Sequence, residues 1–214
     1  ATGQVSLAVN DGNIPGQTES ETPQVTAQAL QLLVNGSAGS LDQPLRLHVD
    51  EVDLSGVAST ASQVAFSSLQ DLQVEANGTL GSLWLDIAGQ LQLNGRFDLH
   101  GNLGLKSQGD LEVIAGTVLT LKGDATAFME SLSGSIHLAE GGELVLANGD
   151  GMLKARKDVV LDGRLMGSAN VGLIAHGGEI RRETAGAGIA IQSAGLLIDS
   201  GLGVGNDQSL ATQV

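Results

Sequence analysis

The chain has 214 residues, 42% of them hydrophobic and only 16% charged, with a formal net charge of −14. This balance supports a buried core and argues against wholesale disorder, and so acidic a chain is a poor partner for nucleic-acid phosphates or an anionic bilayer. The lack of cysteine excludes disulfides, thiol catalysis and thiolate metal sites, and aromatics at 2% suggest a thin core lined by aliphatic side chains.

The chain opens Ala1-Thr2-Gly3 without an initiator Met or a basic segment, so any leader is expected to have been removed or to lie far upstream. Residues 14–26 (IPGQTESETPQVT) hold two prolines and two glutamates and read as a loop or extruded corner. Alternation follows, at Leu30, Leu32 and Val34 and then at Leu45, Leu47 and Val49. It continues at Leu72/Val74, Leu83/Leu85/Ile87, Leu91/Leu93, Phe97/Leu99, Leu103/Leu105, Leu111/Val113 and Leu119/Leu121. After a gap come Ile136/Leu138, Leu144/Leu146, Val159/Leu161, Val171/Leu173, Ile189/Ile191 and Leu196/Ile198. In each group apolar residues fall at every second place and so share one face of a strand. Turn formers such as Gln-Gly-Asp and Asn-Gly-Asp-Gly separate them. Thr126 to Leu132 (TAFMESL) comes nearest to an amphipathic helix and is too short to stand alone. Residues 206–214 lose the pattern and are expected to fray or to continue into a neighbour. No apolar run nears the ~18 residues of a membrane span, and no linker divides the chain.

The spacing is the informative part. Segments open at Leu91, Phe97, Leu103, Leu111 and Leu119, in steps of six to eight residues. Antiparallel sandwiches place turns about every 8–12 residues. Three of these shorter steps make a unit of roughly 20 residues, within the range of stacked repeats. The predicted fold is therefore all-β: a parallel β-helix, or β-solenoid, with about three short strands per coil, running as one continuous section over 1–214. About ten coils at ~4.8 Å would give a rod of about 50 Å. The 31 glycines are expected at corners that need positive φ, and the three prolines fit strands paired on both sides.

The stretch VTAQALQLLVNGSAGSLDQPLRLHV, Val25 to Val49, resembles a recurring block of filamentous-haemagglutinin-like bacterial adhesins. There an apolar alternation leads through a Gly/Ser turn to P-L-x-L-x-V. GQVSLAVNDGNI, Gly3 to Ile14, is similar to the preceding block. NLGLKSQGDLEVIAGTVLTLKG, Asn102 to Gly123, resembles the haemagglutinin-type repeat with its G-D-L-x-(V/L)-x-A-G. The resemblance implies a right-handed parallel β-helix within a long surface fibre. It brings no catalytic residues with it. The secretion-domain signature of such proteins is missing, so the resemblance implies a shaft section or filament subunit, not an export domain.

Nothing in the sequence makes an enzyme of it. No G-x-S-x-G elbow is present, and Gly36-Ser37-Ala38-Gly39 is a turn fragment. His48, His100, His137 and His176 sit in or beside strands without metal-ligand spacing, although histidines on adjacent coils could stack as zinc ligands. Asp50-Glu51-Val52-Asp53 reads as a solvated acidic edge. Asn148-Gly149-Asp150-Gly151 resembles half of a calcium-binding roll and reads as a turn, so no cofactor is expected beyond weak Ca²⁺ association with the acidic surface. Candidate contact residues are Lys154, Arg156 and Lys157, Arg181 and Arg182, and Trp84, which faces outward if Leu83, Leu85 and Ile87 face inward.

The expected role is a structural, non-enzymatic shaft of an extracellular bacterial adhesin or surface filament. Its expected partners are neighbouring solenoid domains or further copies end to end, and host or cell-surface glycans or proteins. Two rivals remain at this point: an envelope lipid conduit with an open β-groove, and a β-helical polysaccharide lyase or hydrolase.

Overall fold

The structure, a computed structural model, describes residues 3–10, 12–17, 22–57, 59–184, 189–205 and 209–214. Their regular structure is all strand, and every strand pair is parallel. The strands stack as a β-solenoid of about nine turns. At ~4.8 Å per coil this makes a rod of about 43 Å.

From Leu72 on, each coil contributes to three walls, while the earlier coils carry strands on walls one and two. Wall one is a nine-stranded sheet that includes Gln63–Ser68, Ser82–Ile87, Leu103–Ser107, Ala127–Ser131, Gly151–Ala155 and Gly195–Ser200. Wall two starts at Gln4–Val9 and Ala29–Val34 and continues through Leu111–Val113, Ile136–Leu138 and Val159–Leu161. Wall three includes Val118–Leu121, Glu143–Leu146 and Arg164–Gly167. Walls two and three are joined in the middle of the rod. Leu91–Leu99 runs through both, bending at Gly95 (φ +97°), and pairs with Leu111–Val113 through one half and with Val118–Leu121 through the other.

Paired residues lie between 19 positions apart (Phe66 and Leu85) and 26 (Leu165 and Ile191), so coil length varies while register holds. Register makes like sit over like. One inward column on wall one runs Phe66, Leu85, Leu105, Met129, Leu153 and Leu173, each at most 3% exposed. Burying each such side chain stabilises by about 1.5–3 kcal/mol. The alternations expected from the sequence are buried as pairs from Leu30 to Leu173. Ile189/Ile191 departs from that pattern. Ile189 is exposed, because the strand is only Ile191–Gln192 and Ala190 and Ile191 are the buried residues. TAFMESL is a strand over Ala127–Ser131, with Met129 inward and Phe128 outward. The expected loop over 14–26 is bounded more tightly, because Ile14 bridges Ala38 and Val25–Thr26 is a strand; residues 18–21 lie outside the described residues. In the last segment Thr212–Gln213 pairs in register with Ile191–Gln192, and 206–208 lie outside the described residues.

Positive φ accounts for only some of the glycines. The corner from wall one to wall two carries Gly89, Gly109, Gly134 and Gly178, none with positive φ. These are glycine for space: a Cβ on Gly89, Gly134 or Gly178 would lie 2.2–2.3 Å from the carboxylate of Asp71, Asp110 or Asp158 one coil earlier. Those carboxylates accept backbone N–H bonds from the following coil. The donors are Gln90 to Asp71 at 2.7 Å, Ser135 to Asp110 at 2.8 Å and Glu179 to Asp158 at 2.8 Å. Elsewhere Ser37 donates to Asn13, Thr126 to Asn102 and Asn170 to Asp150 in the same sense. Just inside the corner, buried Ser68, Ser107 and Ser131 donate their hydroxyls to corner carbonyls at Gln70 and Gly109.

At both ends the inward residues are only half-buried: Val5, Leu7 and Val9 on the first strand, Leu196 and Ile198 on Gly195–Ser200.

Candidate functional site

The outer surface of wall one differs from the other two. Its central outward row reads, coil by coil, Ala65, Trp84, Gly104, Phe128, Met152, Gly172 and Leu197. Phe128 is 41% exposed and Leu197 58%. The Trp84 ring leans along the rod over Gly104, where an added Cβ would lie 2.0 Å from a ring carbon; Met152 covers Gly172 in the same way. Loop 40–44 projects over the start of the row. With Leu41, Pro44, Trp84 and Phe128 it frames an apolar groove of about 240 Å³ whose floor is Gly104. Exposed apolar stripes of this kind mark contact surfaces.

The next outward row on the same strands alternates in charge: Asp86, Lys106, Glu130, Lys154. Lys106 Nζ lies 3.5 Å from Asp86, and Lys154 Nζ lies 2.8 Å from Glu130. On the other flank Asn102, Thr126, Asp150 and Asn170 form a polar row tied by side-chain hydrogen bonds. Wall one thus carries an apolar centre, a charged border and a neutral-to-acidic border.

Trp84 sits in the row where alternation puts it, facing outward with Leu83, Leu85 and Ile87 buried. The basic residues do not converge. Lys154 is paired to Glu130, Arg156 and Lys157 are exposed at the next corner, and Arg181 faces outward on wall two. The Arg181 guanidinium is held by Asp158 at 3.4 Å, Glu183 at 2.8 Å and Glu179 at 3.9 Å, while Arg182 is buried and donates to the Asp162 carbonyl at 3.4 Å. Phe128, Met152 and Leu41 are absent from the sequence-based contact residues. The signal for Phe128 was the alternation inside AFMES, once that segment is taken as a strand.

Wall two carries a polar group around His137, whose Nε2 lies 3.1 Å from Asp162 and Nδ1 4.0 Å from Glu112. The other carboxylate oxygen of Asp162 accepts the backbone N–H of Glu183 and of Thr184 and the Thr184 hydroxyl. Burial pushes this carboxyl up, but the Thr184 and Glu183 amides, the Thr184 hydroxyl and His137 outweigh it and hold it below the ordinary carboxylate value. Asp162 therefore binds a proton less readily in the folded chain than in the unfolded one. Its stabilisation is complete above the ordinary carboxylate range and is lost as pH falls through the lowered folded value. Asp162→Asn is expected to destabilise by about 1–2 kcal/mol at neutral pH and to flatten the acid side of the stability profile. Denaturation followed from pH 7 to pH 3 checks this, and an acid limb identical to that of the unsubstituted chain contradicts it.

The acidic run at Asp50–Asp53 is structural in part. Val52 is buried, Asp50 accepts from Gln70 at 3.1 Å, and Asp53 accepts from Ser55 and Gln31. Asp150, of the calcium-like segment, accepts from the backbone N–H and side-chain amide of Asn170. His48, His100 and His176 lie exposed, and among the described residues no group of three or more His, Asp or Glu is arranged to hold a metal ion. No helix of the described residues is long and apolar enough to cross a membrane. No protein-family model matches this chain, and neither a curated protein nor a solved structure matches it.

Proposed function

We propose that the chain is a structural, non-enzymatic shaft section of an extracellular bacterial adhesin or surface filament. The observation that carries this reading is the unbroken parallel ladder, in register from Gln4–Val9 to the last coil, around a filled aliphatic interior. Backbone ladders along the rod make it stiff, and repeated outward rows make it a long contact surface. A lipid conduit needs an open apolar trough; here the inward columns are packed at 0–3% exposure over most of the length. A sugar-cleaving site needs unpaired acids beside stacking rings; here the acids next to Trp84 and Phe128, Asp86 and Glu130, are paired to Lys106 and Lys154, and the Glu112, Asp158 and Asp162 group lies on wall two. The half-buried Val5, Leu7, Leu196 and Ile198 suit ends that are continued by neighbouring coils or further copies. A cysteine-free chain with a net charge of −14 suits the cell surface.

Electron microscopy of the chain joined in tandem, coil onto coil, tests the reading. Rods of constant width that lengthen by about 43 Å per copy are expected. Compact particles, or beads on a flexible string, overturn it.

A further inference from the structure

We propose that wall one binds a second copy of this chain, face to face and antiparallel, through a two-fold axis that lies between the two faces at the level between Lys106 and Glu130. The argument is self-complementarity. An axis lying in the interface and crossing the rods sets each outward row against itself in reverse order. Reversing Asp86, Lys106, Glu130, Lys154 brings Asp86 opposite Lys154 and Lys106 opposite Glu130, so every charge meets its opposite. The same axis brings Phe128 onto the Trp84 ring where that ring covers Gly104, and Met152, where it covers Gly172, opposite Ala65. It also faces Asn102 with Thr126, two hydrogen-bonding side chains.

No second adjustment is needed, since all three rows lie on the same coils. A parallel arrangement loses this fit. It stacks Trp84 on Trp84 and Phe128 on Phe128, and sets Lys106 and Glu130 against the neutral Asn102 and Thr126. Exposed ion pairs contribute little alone, so the apolar row supplies the attraction and the charged row selects the orientation. Six coils at ~4.8 Å by five residues at ~3.3 Å make a patch of about 500 Å² per copy, with loop 40–44 at its first coil set across the axis against Gly172. That lies at the small end of specific interfaces, so a dimer in the micromolar range is expected.

Two single variants and their mixture test the proposal. Lys106→Glu puts a glutamate opposite Glu130 at both contacts, and Glu130→Lys puts a lysine opposite Lys106 at both. Sedimentation equilibrium from about 1 to 500 µM is expected to show a reversible dimer for the unsubstituted chain and dissociation constants raised about tenfold or more for each variant. An equimolar mixture of the two variants restores opposite charges at both contacts and is expected to return dimerisation close to that of the unsubstituted chain. Phe128→Asp, on an outward residue, is expected to weaken the dimer and serves if a charge variant fails to fold. An unsubstituted chain that stays monomeric overturns the proposal, as do single variants that dimerise unchanged or a mixture that does not recover. These substitutions leave the rod ends intact, so end-to-end growth of tandem rods is unaffected by the result.

Discussion

Phe97→Ala is expected to destabilise the chain by about 3–5 kcal/mol, the largest loss from a single side chain. Phe97 is fully buried on wall three, directly above Gly78 and below Leu119 in one inward column. Truncating a ring that is 0% exposed removes its transfer energy and leaves a cavity that the surrounding core closes only in part. Among the described residues only Phe66 is another fully buried ring. The position adds a second effect. A solenoid coil touches only its neighbours, so a weak coil in the middle uncouples the two ends. Hydrogen exchange is expected to show the coils before residue 90 and after residue 110 opening with different free energies, where the unsubstituted chain opens them together. A loss below about 1 kcal/mol in chemical denaturation would refute the packing account.

Gly149→Ala is the second large effect, about 3 kcal/mol, and its cause is backbone meeting backbone. A Cβ there would lie 1.9 Å from the Ala125 carbonyl oxygen and 2.5 Å from its carbon, so the coils must separate. The bonds beside it, Asn148 N–H to Gly123 and Ala127 N–H to Asp150, both 3.0 Å, would stretch with them. Gly123→Ala is the control. Its Cβ would meet nothing within 4 Å, and its cost is the left-handed φ of +62° alone, about 1–2 kcal/mol. Thermal and denaturant unfolding are expected to rank Gly149→Ala below Gly123→Ala. The reverse order would mean that conformation, not coil spacing, dictates glycine at position 149.

The strands were legible because period two is a local property. Leu83, Leu85 and Ile87 could be placed inward, and Trp84 outward, without knowing what lies above or below. What pairs with what depends on corner length, and corners vary enough to move the repeat from 19 to 26 residues. Hence the row of Trp84, Gly104, Phe128 and Met152 is invisible along the chain, since it is defined by register across four coils. Arg181 and Arg182 illustrate the same point. Adjacent in sequence and both candidate contact residues, they part in the fold: Arg181 turns outward to carboxylates, and Arg182 is buried beside Asp162. Ile189 fails for a different reason: the strand it was expected to begin starts two residues later.

Among the described residues, every carboxylate or amide oxygen that ties one coil's backbone to the next belongs to the earlier coil. Asn13, Asp71, Asn102, Asp110, Asp150 and Asp158 all accept from amides that follow them in the chain. The rod is therefore a template with a direction. A finished turn holds out waiting acceptors to the segment that leaves the ribosome after it, and none of these tethers has to wait for a residue still to come.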